Sequence, residues 1–144
     1  MQFSIPVAAL MRFSLATVYL WFGIVKVVGQ SPMNPVITKV TESILPFAEV
    51  GQVTLLLGIF EILLAMLFLI PQTSRLALLL LVPHVIATVL PLFLLPEMCW
   101  TQFLIPTLEG QFIIKNIFII AIAITLFMEN RKHTRVHYTL YPQS

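Results

Sequence analysis

Hydrophobic residues are concentrated in four long runs, which are separated by short connections rich in polar residues, proline and glycine. The runs cover approximately residues 6–28, 53–70, 74–95 and 112–128. A helix needs about 20 apolar residues to cross a hydrocarbon core of ~30 Å, and these runs come close to that length. The pattern therefore predicts an all-α integral membrane four-helix bundle that forms a single domain over residues 1–144.

The connections between the runs predict how the helices are joined. The connection "PQTSR" is short, so the second and third helices are predicted to form an antiparallel hairpin, with Ser74 as the N-cap of the third. The first connection is longer and contains "NPVITKVTESILPF", in which apolar residues recur at helical spacing. We expect a short amphipathic helix there, lying on the outer membrane face, with these apolar residues on one side: Val36, Ile37, Val40 and Ile44.

Composition supports the membrane assignment and excludes several classes of site. Hydrophobic residues make up 59% of the chain and charged residues 10%, with a mean hydropathy of +1.00, which is too apolar for a water-soluble domain of this size. We therefore expect a lipid bilayer around the protein. The net charge of +2 is small and scattered, so no nucleic-acid partner is predicted. The single cysteine, Cys99, excludes an intramolecular disulfide and a Cys-rich metal site, and no metal is predicted.

The basic residues near the helix ends predict the orientation. Lysine and arginine are enriched in short cytoplasmic connections, and the connection "CWTQFLIPTLEG" has neither. Both termini are therefore predicted to be cytoplasmic, with residues 129–144 as a basic cytoplasmic tail and Cys99 exposed on the outer side. The residues that carry this topology signal, and that we expect to contact lipid headgroups, are Arg12, Arg75, Arg131, Lys132 and Arg135.

Several polar residues lie inside the apolar runs at comparable depths. Glu61 comes nine residues before Ile70, and His84 comes ten residues after Ser74, so antiparallel helices would place the two side chains at the same level. Lys26 and Lys115 lie farther toward the outer side, and Asn116 follows Lys115. The pattern predicts a polar pocket that is open to the outer side: Glu61 and His84 form its floor, the two lysines stand near its mouth, and the pocket binds a ligand through Lys26, Glu61, His84, Lys115 and Asn116.

Simpler interpretations of these residues remain open at this stage. Lysine side chains near a helix end often extend to the headgroups, which would take Lys26 or Lys115 out of the pocket. His84 follows Pro83, which is predicted to kink the helix, so its ring could bond a carbonyl freed by the proline or the Glu61 carboxyl instead of transferring protons. Glu61 cannot reach the headgroups easily from the midplane, so its carboxyl must be neutral or paired.

Three segments resemble the DoxX-like superfamily of small four-helix membrane proteins, including its YkgB-like branch. They are "RFSLATVYLWFGIVKVVG", "GIFEILLAMLFLIP" and "EGQFIIKNIFIIAIAI". The resemblance rests on an arginine, an aromatic-Gly pair followed by lysine, a glutamate in the second helix, and a glycine followed by Lys-Asn in the fourth. It implies that the recurring polar positions of the family correspond here to Arg12, Lys26, Glu61, Lys115 and Asn116.

The resemblance implies a role in redox or oxidative-stress physiology. Because the chain has no dinucleotide fingerprint, metal-ligand cluster or cysteine pair, such a role needs an external cofactor, with a quinone as the candidate, or a partner. We expect a redox partner protein or a homo-oligomer. Two other classes stay open, a noncatalytic assembly or chaperone subunit and a small-solute or proton transporter, and whether the protein is an enzyme is left undecided.

Overall fold

The computed structural model describes the backbone of residues 6–140 and the side chains of residues 6–128. The side chains of Arg131, Lys132 and Arg135 lie outside these described residues. The described chain is predominantly helical, which confirms the all-α prediction, although it also has one short antiparallel pair of strands. The elements are α1 (Val7–Val27), α2 (Asn34–Ile44), α3 (Val50–Leu69), α4 (Ser74–Val89), α5 (Pro91–Leu94), α6 (Pro96–Cys99), β1 (Trp100–Gln102), β2 (Ile105–Pro106), α7 (Leu108–Ile114) and α8 (Asn116–Leu140).

Four stretches of the described chain are helical, long and apolar enough to cross a membrane. They are Val7–Val27, Val50–Leu69, Pro71–Leu94 and Leu108–Met128, close to the four predicted runs. Large apolar side chains cover their outer surfaces; Leu79 and Phe118, for example, are more than two-thirds exposed. An apolar outer surface of this extent is typical of helices that face lipid.

The third stretch differs from the prediction at its start, and it is interrupted before its second proline. α4 runs through Pro83, and the helix is interrupted two turns later at Leu90, because Pro91 has no N–H to continue the ladder. Ser74 is not the N-cap: it is the first residue of α4, and the cap residue is Thr73. The Thr73 hydroxyl instead donates to the carbonyl oxygen of Leu67, at the end of α3.

The fourth stretch begins earlier than predicted and is interrupted. α7 starts at Leu108, where the hydroxyl of the N-cap Thr107 accepts a hydrogen bond from the Gly110 N–H at 3.1 Å. The first turn of α7 contains polar residues, so a pattern of apolar residues does not show where the helix begins. Lys115 separates α7 from α8, and α8 continues to Leu140 instead of ending near residue 128.

α1 and α3 pack closely through two glycines. A Cβ atom added to Gly23 would lie 2.7 Å from the Gly58 carbonyl oxygen, and one added to Gly58 would lie 2.9 Å from the Gly23 carbonyl oxygen. Gly23 also approaches Ile62, and Gly58 approaches Val27, so residue numbers rise along one helix as they fall along the other. The helices are therefore antiparallel, and their backbones touch where only glycine fits.

The apolar core occupies only one half of the helices' length. It lies toward the start of α1 and the end of α3, where Tyr19 stacks on Phe68. Beyond Tyr19, toward the other end, α1 and α3 stay in contact, and a cavity lies beside them. The buried core consists of Leu15, Ala16, Tyr19, Leu64, Ala65, Phe68, Ala77, Leu78, Leu81, Val85, Ile119 and Leu126.

Candidate functional site

A buried ion pair joins α1 to α3 at the base of the cavity. The Lys26 ammonium donates hydrogen bonds to both carboxylate oxygens of Glu61, at 2.7 Å and 2.9 Å. Glu61 is only 3% exposed. Side chains on a helix lean toward its N-terminus, and because α1 and α3 are antiparallel, these two lean toward each other. Lys26 and Glu61 each follow a contact glycine, Gly23 or Gly58, by three residues, so the close packing brings them together.

His84 of α4 completes a three-residue cluster around the Glu61 carboxylate. Its Nε2 atom lies 3.3 Å from Glu61 Oε1. The imidazole ring packs edge-on against Tyr19, with centroids 5.5 Å apart, and against Phe60 at 5.4 Å. Of the arrangements that the sequence left open, the structure shows His84 beside the carboxylate. Glu61 is thus shared between a lysine and a histidine from two neighbouring helices.

Lys115 lies at the interruption between α7 and α8 and extends over two aromatic rings. Its Nζ atom is 3.9 Å from the ring centroid of Phe22 and 3.4 Å from that of Phe112. A cation over a ring face is attracted by the negative face of the ring. Lys26 and Lys115 both line the cavity, so neither adopts the headgroup-directed arrangement that the sequence left open.

Asn116 connects α8 to α4 on the same wall. Its side-chain amide donates a hydrogen bond to the Thr88 hydroxyl at 3.1 Å, and that hydroxyl donates to the Val85 carbonyl oxygen. Asn116 is buried. The structure therefore places all five predicted site residues around one cavity: Lys26, Glu61, His84, Lys115 and Asn116.

The cavity has a volume of about 390 Å³ and mostly apolar walls. Its walls come from α1, α3, α4, α7 and α8, and α2 closes it from one side. The apolar residues of α2 line this cavity, and Val36 is only 2% exposed. The predicted amphipathic helix therefore forms, with its apolar face turned to the cavity, and its position on the outer membrane face stays a prediction.

The sequence interpretation missed several residues that shape the site. Phe22 comes four residues before Lys26, and Phe112 comes three residues before Lys115. Each ring therefore shares a helix face with a lysine, and this spacing was a detectable signal. Tyr19, seven residues before Lys26, could have been found in the same way. Thr88 lies four residues after His84 and gives the same signal on α4.

The structure supports the predicted grouping of Arg12 and Arg75 but not the predicted exposure of Cys99. Arg12 in α1 and Arg75 in α4 lie toward the same end of the helices, because the start of α1 packs beside the end of α3. Cys99 was expected to be exposed, but it is fully buried, and its thiol donates to the Pro91 carbonyl oxygen. Burial raises the pKa of the Cys99 thiol, and the nearby carboxylates of Glu109 and Glu97 raise it further.

No family model, curated protein or solved structure matches this chain. The DoxX-like resemblance consequently stays a prediction. Within the part of the chain whose side chains are described, no group of three or more His, Cys, Asp or Glu residues could hold a metal ion. The chemistry that these residues can supply is an ion pair, an imidazole, an ammonium over aromatic rings and hydrogen-bonding amide and hydroxyl groups.

Proposed function

We propose that the chain spans a membrane as a four-helix bundle and binds a small amphipathic molecule in its cavity. The cavity itself is the observation that supports this proposal most. Binding sites for small organic molecules are concave, of about 300–1,000 Å³, and mainly apolar with a few convergent polar groups. The cavity of about 390 Å³ meets each of these criteria.

A quinone head group is the candidate ligand. The Lys115 ammonium stands at the wall between two aromatic rings, where it can donate to a ligand oxygen. Lys26 pairs with the Glu61 carboxylate inside the apolar interior, and the His84 imidazole beside that carboxylate is the group proposed to exchange protons with the ligand. A bound quinone would supply the electron-transfer chemistry that the side chains lack.

The cellular setting of this proposal comes from the sequence. The resemblance to DoxX-like proteins supports a role in redox or oxidative-stress physiology, as a subunit beside a redox partner. The same resemblance supports a bacterial inner membrane, and the distribution of lysine and arginine supports both termini in the cytoplasm. The assembly-subunit and transporter alternatives would use the outer helix surfaces or an open path through the bundle.

Equilibrium dialysis of a short-chain ubiquinone analogue against the protein in lipid nanodiscs tests the proposal. We expect saturable binding above that of empty nanodiscs. Glu61→Gln should weaken this binding by about tenfold, because it removes the charge-assisted hydrogen bonds of the Glu61 carboxylate. Glu42→Gln is the matched control, because Glu42 is an exposed carboxylate on α2 that pairs with Lys39. Binding that is absent, or equally affected by both substitutions, would contradict the proposal.

A further inference from the structure

The charges around the cavity do not balance. The Lys26 and Glu61 charges compensate each other through a direct ion pair. Lys115 also lines the cavity, but no carboxylate oxygen among the described side chains lies within ion-pair distance of its ammonium, and no described acceptor receives a hydrogen bond from it. With His84 neutral, the described lining of the cavity carries a net charge of +1.

The position of Lys115 is held by its surroundings. Phe22 from α1 and Phe112 from α7 present their rings to the ammonium from two helices. Ring faces attract the cation but accept no strong hydrogen bond, so the three N–H donors of the ammonium stay available to a ligand. A lysine at membrane depth is costly without an anion, and an anionic ligand would remove that cost.

We propose that the cavity binds an amphipathic anion more tightly than a neutral molecule such as a quinone: the charged oxygen binds Lys115, and the apolar body occupies the apolar part of the cavity. We rest this on the proposed binding role of the cavity and add the charge of the head group. The volume of about 390 Å³ is near the lower end of the range for small organic ligands, which favours a free single-chain acid over a two-chain phospholipid.

A matched pair of probes isolates the head-group charge. 8-Bromooctane-1-sulfonate and 8-bromooctan-1-ol share an apolar chain, and bromine quenches tryptophan fluorescence at short range. Trp21 borders the cavity but is 68% exposed, so only the saturable part of its quenching that depends on Lys115 reports on the cavity. It is one of two tryptophans, and a Trp100→Phe background leaves it as the only tryptophan of the protein. Measurements use phosphatidylcholine nanodiscs, with empty nanodiscs to correct for partitioning into lipid.

We expect saturable quenching of Trp21 by the sulfonate at concentrations about tenfold lower than by the alcohol, since a charge-assisted hydrogen bond contributes at least that factor. Lys115→Met should weaken quenching by the sulfonate more than quenching by the alcohol and so remove this preference. Lys115→Arg should restore it. Lys39→Met is the control for overall charge, because Lys39 is an exposed lysine on α2, and it should change neither probe.

The outcomes separate this inference from the proposed function. Saturable quenching by both probes at equal concentrations would overturn the anion preference and leave the binding cavity in place. If neither probe quenches Trp21, both the anion preference and the proposed binding function would be overturned. Quenching by the sulfonate should persist when part of the phosphatidylcholine is replaced by phosphatidylglycerol. Loss of this quenching would mean that Lys115 binds an anionic lipid headgroup, and it would contradict binding of a free single-chain acid.

Discussion

Glu61 is the central residue of the site, because its carboxylate contacts both Lys26 and His84. It accepts two hydrogen bonds from Lys26 and lies within 3.3 Å of His84, although it is almost completely buried. The sequence predicted that Glu61 and His84 share a level, because depth follows from counting residues along apolar helices. It left open whether Glu61 pairs directly with Lys26, because that contact depends on how closely two helices approach.

Removing one member of the buried pair should be more harmful than removing both. Glu61→Gln or Lys26→Met alone leaves a buried charge without its partner, and we expect a loss of about 3–5 kcal/mol in the free energy of unfolding. The double variant Lys26→Met with Glu61→Gln should recover a substantial part of that loss. Equilibrium unfolding in detergent micelles measures all three variants in one double-mutant cycle.

An exposed pair provides the control for this cycle. Lys39 and Glu42 lie 3.1 Å apart on α2, and both side chains are more than half exposed. Glu42→Gln should therefore change the free energy of unfolding by about 0.5 kcal/mol or less. Strictly additive losses at Lys26 and Glu61 would show that the two side chains do not interact.

At the scale of the elements, a glycine contact positions the charged residues. Gly23 and Gly58 bring the backbones of α1 and α3 together, and the ion pair follows one turn later on each helix. The sequence did not show that these two glycines face each other. Which residues of two apolar helices meet depends on packing around the whole helix, and a uniformly apolar pattern carries little of that information.

Alanine at the glycine contact should separate the two helices. A Cβ atom at Gly23 or Gly58 would meet backbone atoms of the opposite helix within 3.0 Å, so Gly23→Ala and Gly58→Ala should each cost about 1–3 kcal/mol in the free energy of unfolding. The nearest atom to an added Cβ at Gly51 is the Glu49 Oε1 atom, at 3.7 Å. Gly51→Ala should accordingly be neutral or stabilising by up to about 1 kcal/mol.

Thermal unfolding in micelles compares the three variants directly. Equal stability of the Gly23→Ala, Gly58→Ala and Gly51→Ala proteins would contradict the close contact of α1 with α3. Binding of the ubiquinone analogue should weaken in the first two variants as well, because a shift of α1 against α3 moves Lys26 away from Glu61.

The connection between α5 and α7 is a compact element that hydropathy did not predict. Thr107 donates to the Met98 carbonyl oxygen, and Gly110 packs against the backbone of Cys99, which buries the thiol. Short polar stretches with turns and two-residue strands have no helical or alternating period, so the sequence pattern contained little signal for them.

The buried thiol of Cys99 should react slowly with maleimide in the native protein. Its raised pKa leaves little thiolate at neutral pH, and the thiolate is the nucleophile. The labelling rate should increase as the pH rises through and beyond the ordinary cysteine range. Gly110→Ala should accelerate labelling at a fixed pH, because the added Cβ displaces the Cys99 backbone. Gly51→Ala is the control and should not change the labelling rate. Rapid labelling of the native protein near pH 7 would contradict the burial of Cys99.

At the scale of the whole molecule, the helices divide into a packed half and a cavity-containing half. The packed half lies toward Arg12 and Arg75, and the cavity lies toward α2 and the connection that contains Cys99. Hydropathy predicted the four helices and their approximate bounds. The polar residues inside the runs predicted a pocket at the end away from Arg12 and Arg75. They did not predict its apolar walls or its closure by α2, which depend on side-chain packing.

The orientation prediction requires introduced cysteines, since Cys99 is buried. In a Cys99→Ser background, Thr101→Cys lies on exposed β1, and Gln72→Cys lies in the exposed turn before α4. With both termini in the cytoplasm, a membrane-impermeant maleimide should label Thr101→Cys in intact cells, and Gln72→Cys only after the membrane is opened. The reverse pattern would invert the topology, and labelling of both in intact cells would contradict the membrane-spanning arrangement.

The central claim, that the cavity binds a small amphipathic molecule, is tested most directly by photoaffinity labelling. A short-chain azidoquinone is cross-linked to the protein in native membranes, and the modified residues are identified by mass spectrometry. We predict modification of cavity-lining residues on α2 and around Lys115, prevented by an excess of the unmodified analogue and reduced in Glu61→Gln but not in Glu42→Gln. Modification confined to outward-facing side chains such as Leu79 and Phe118, without competition, would contradict the claim.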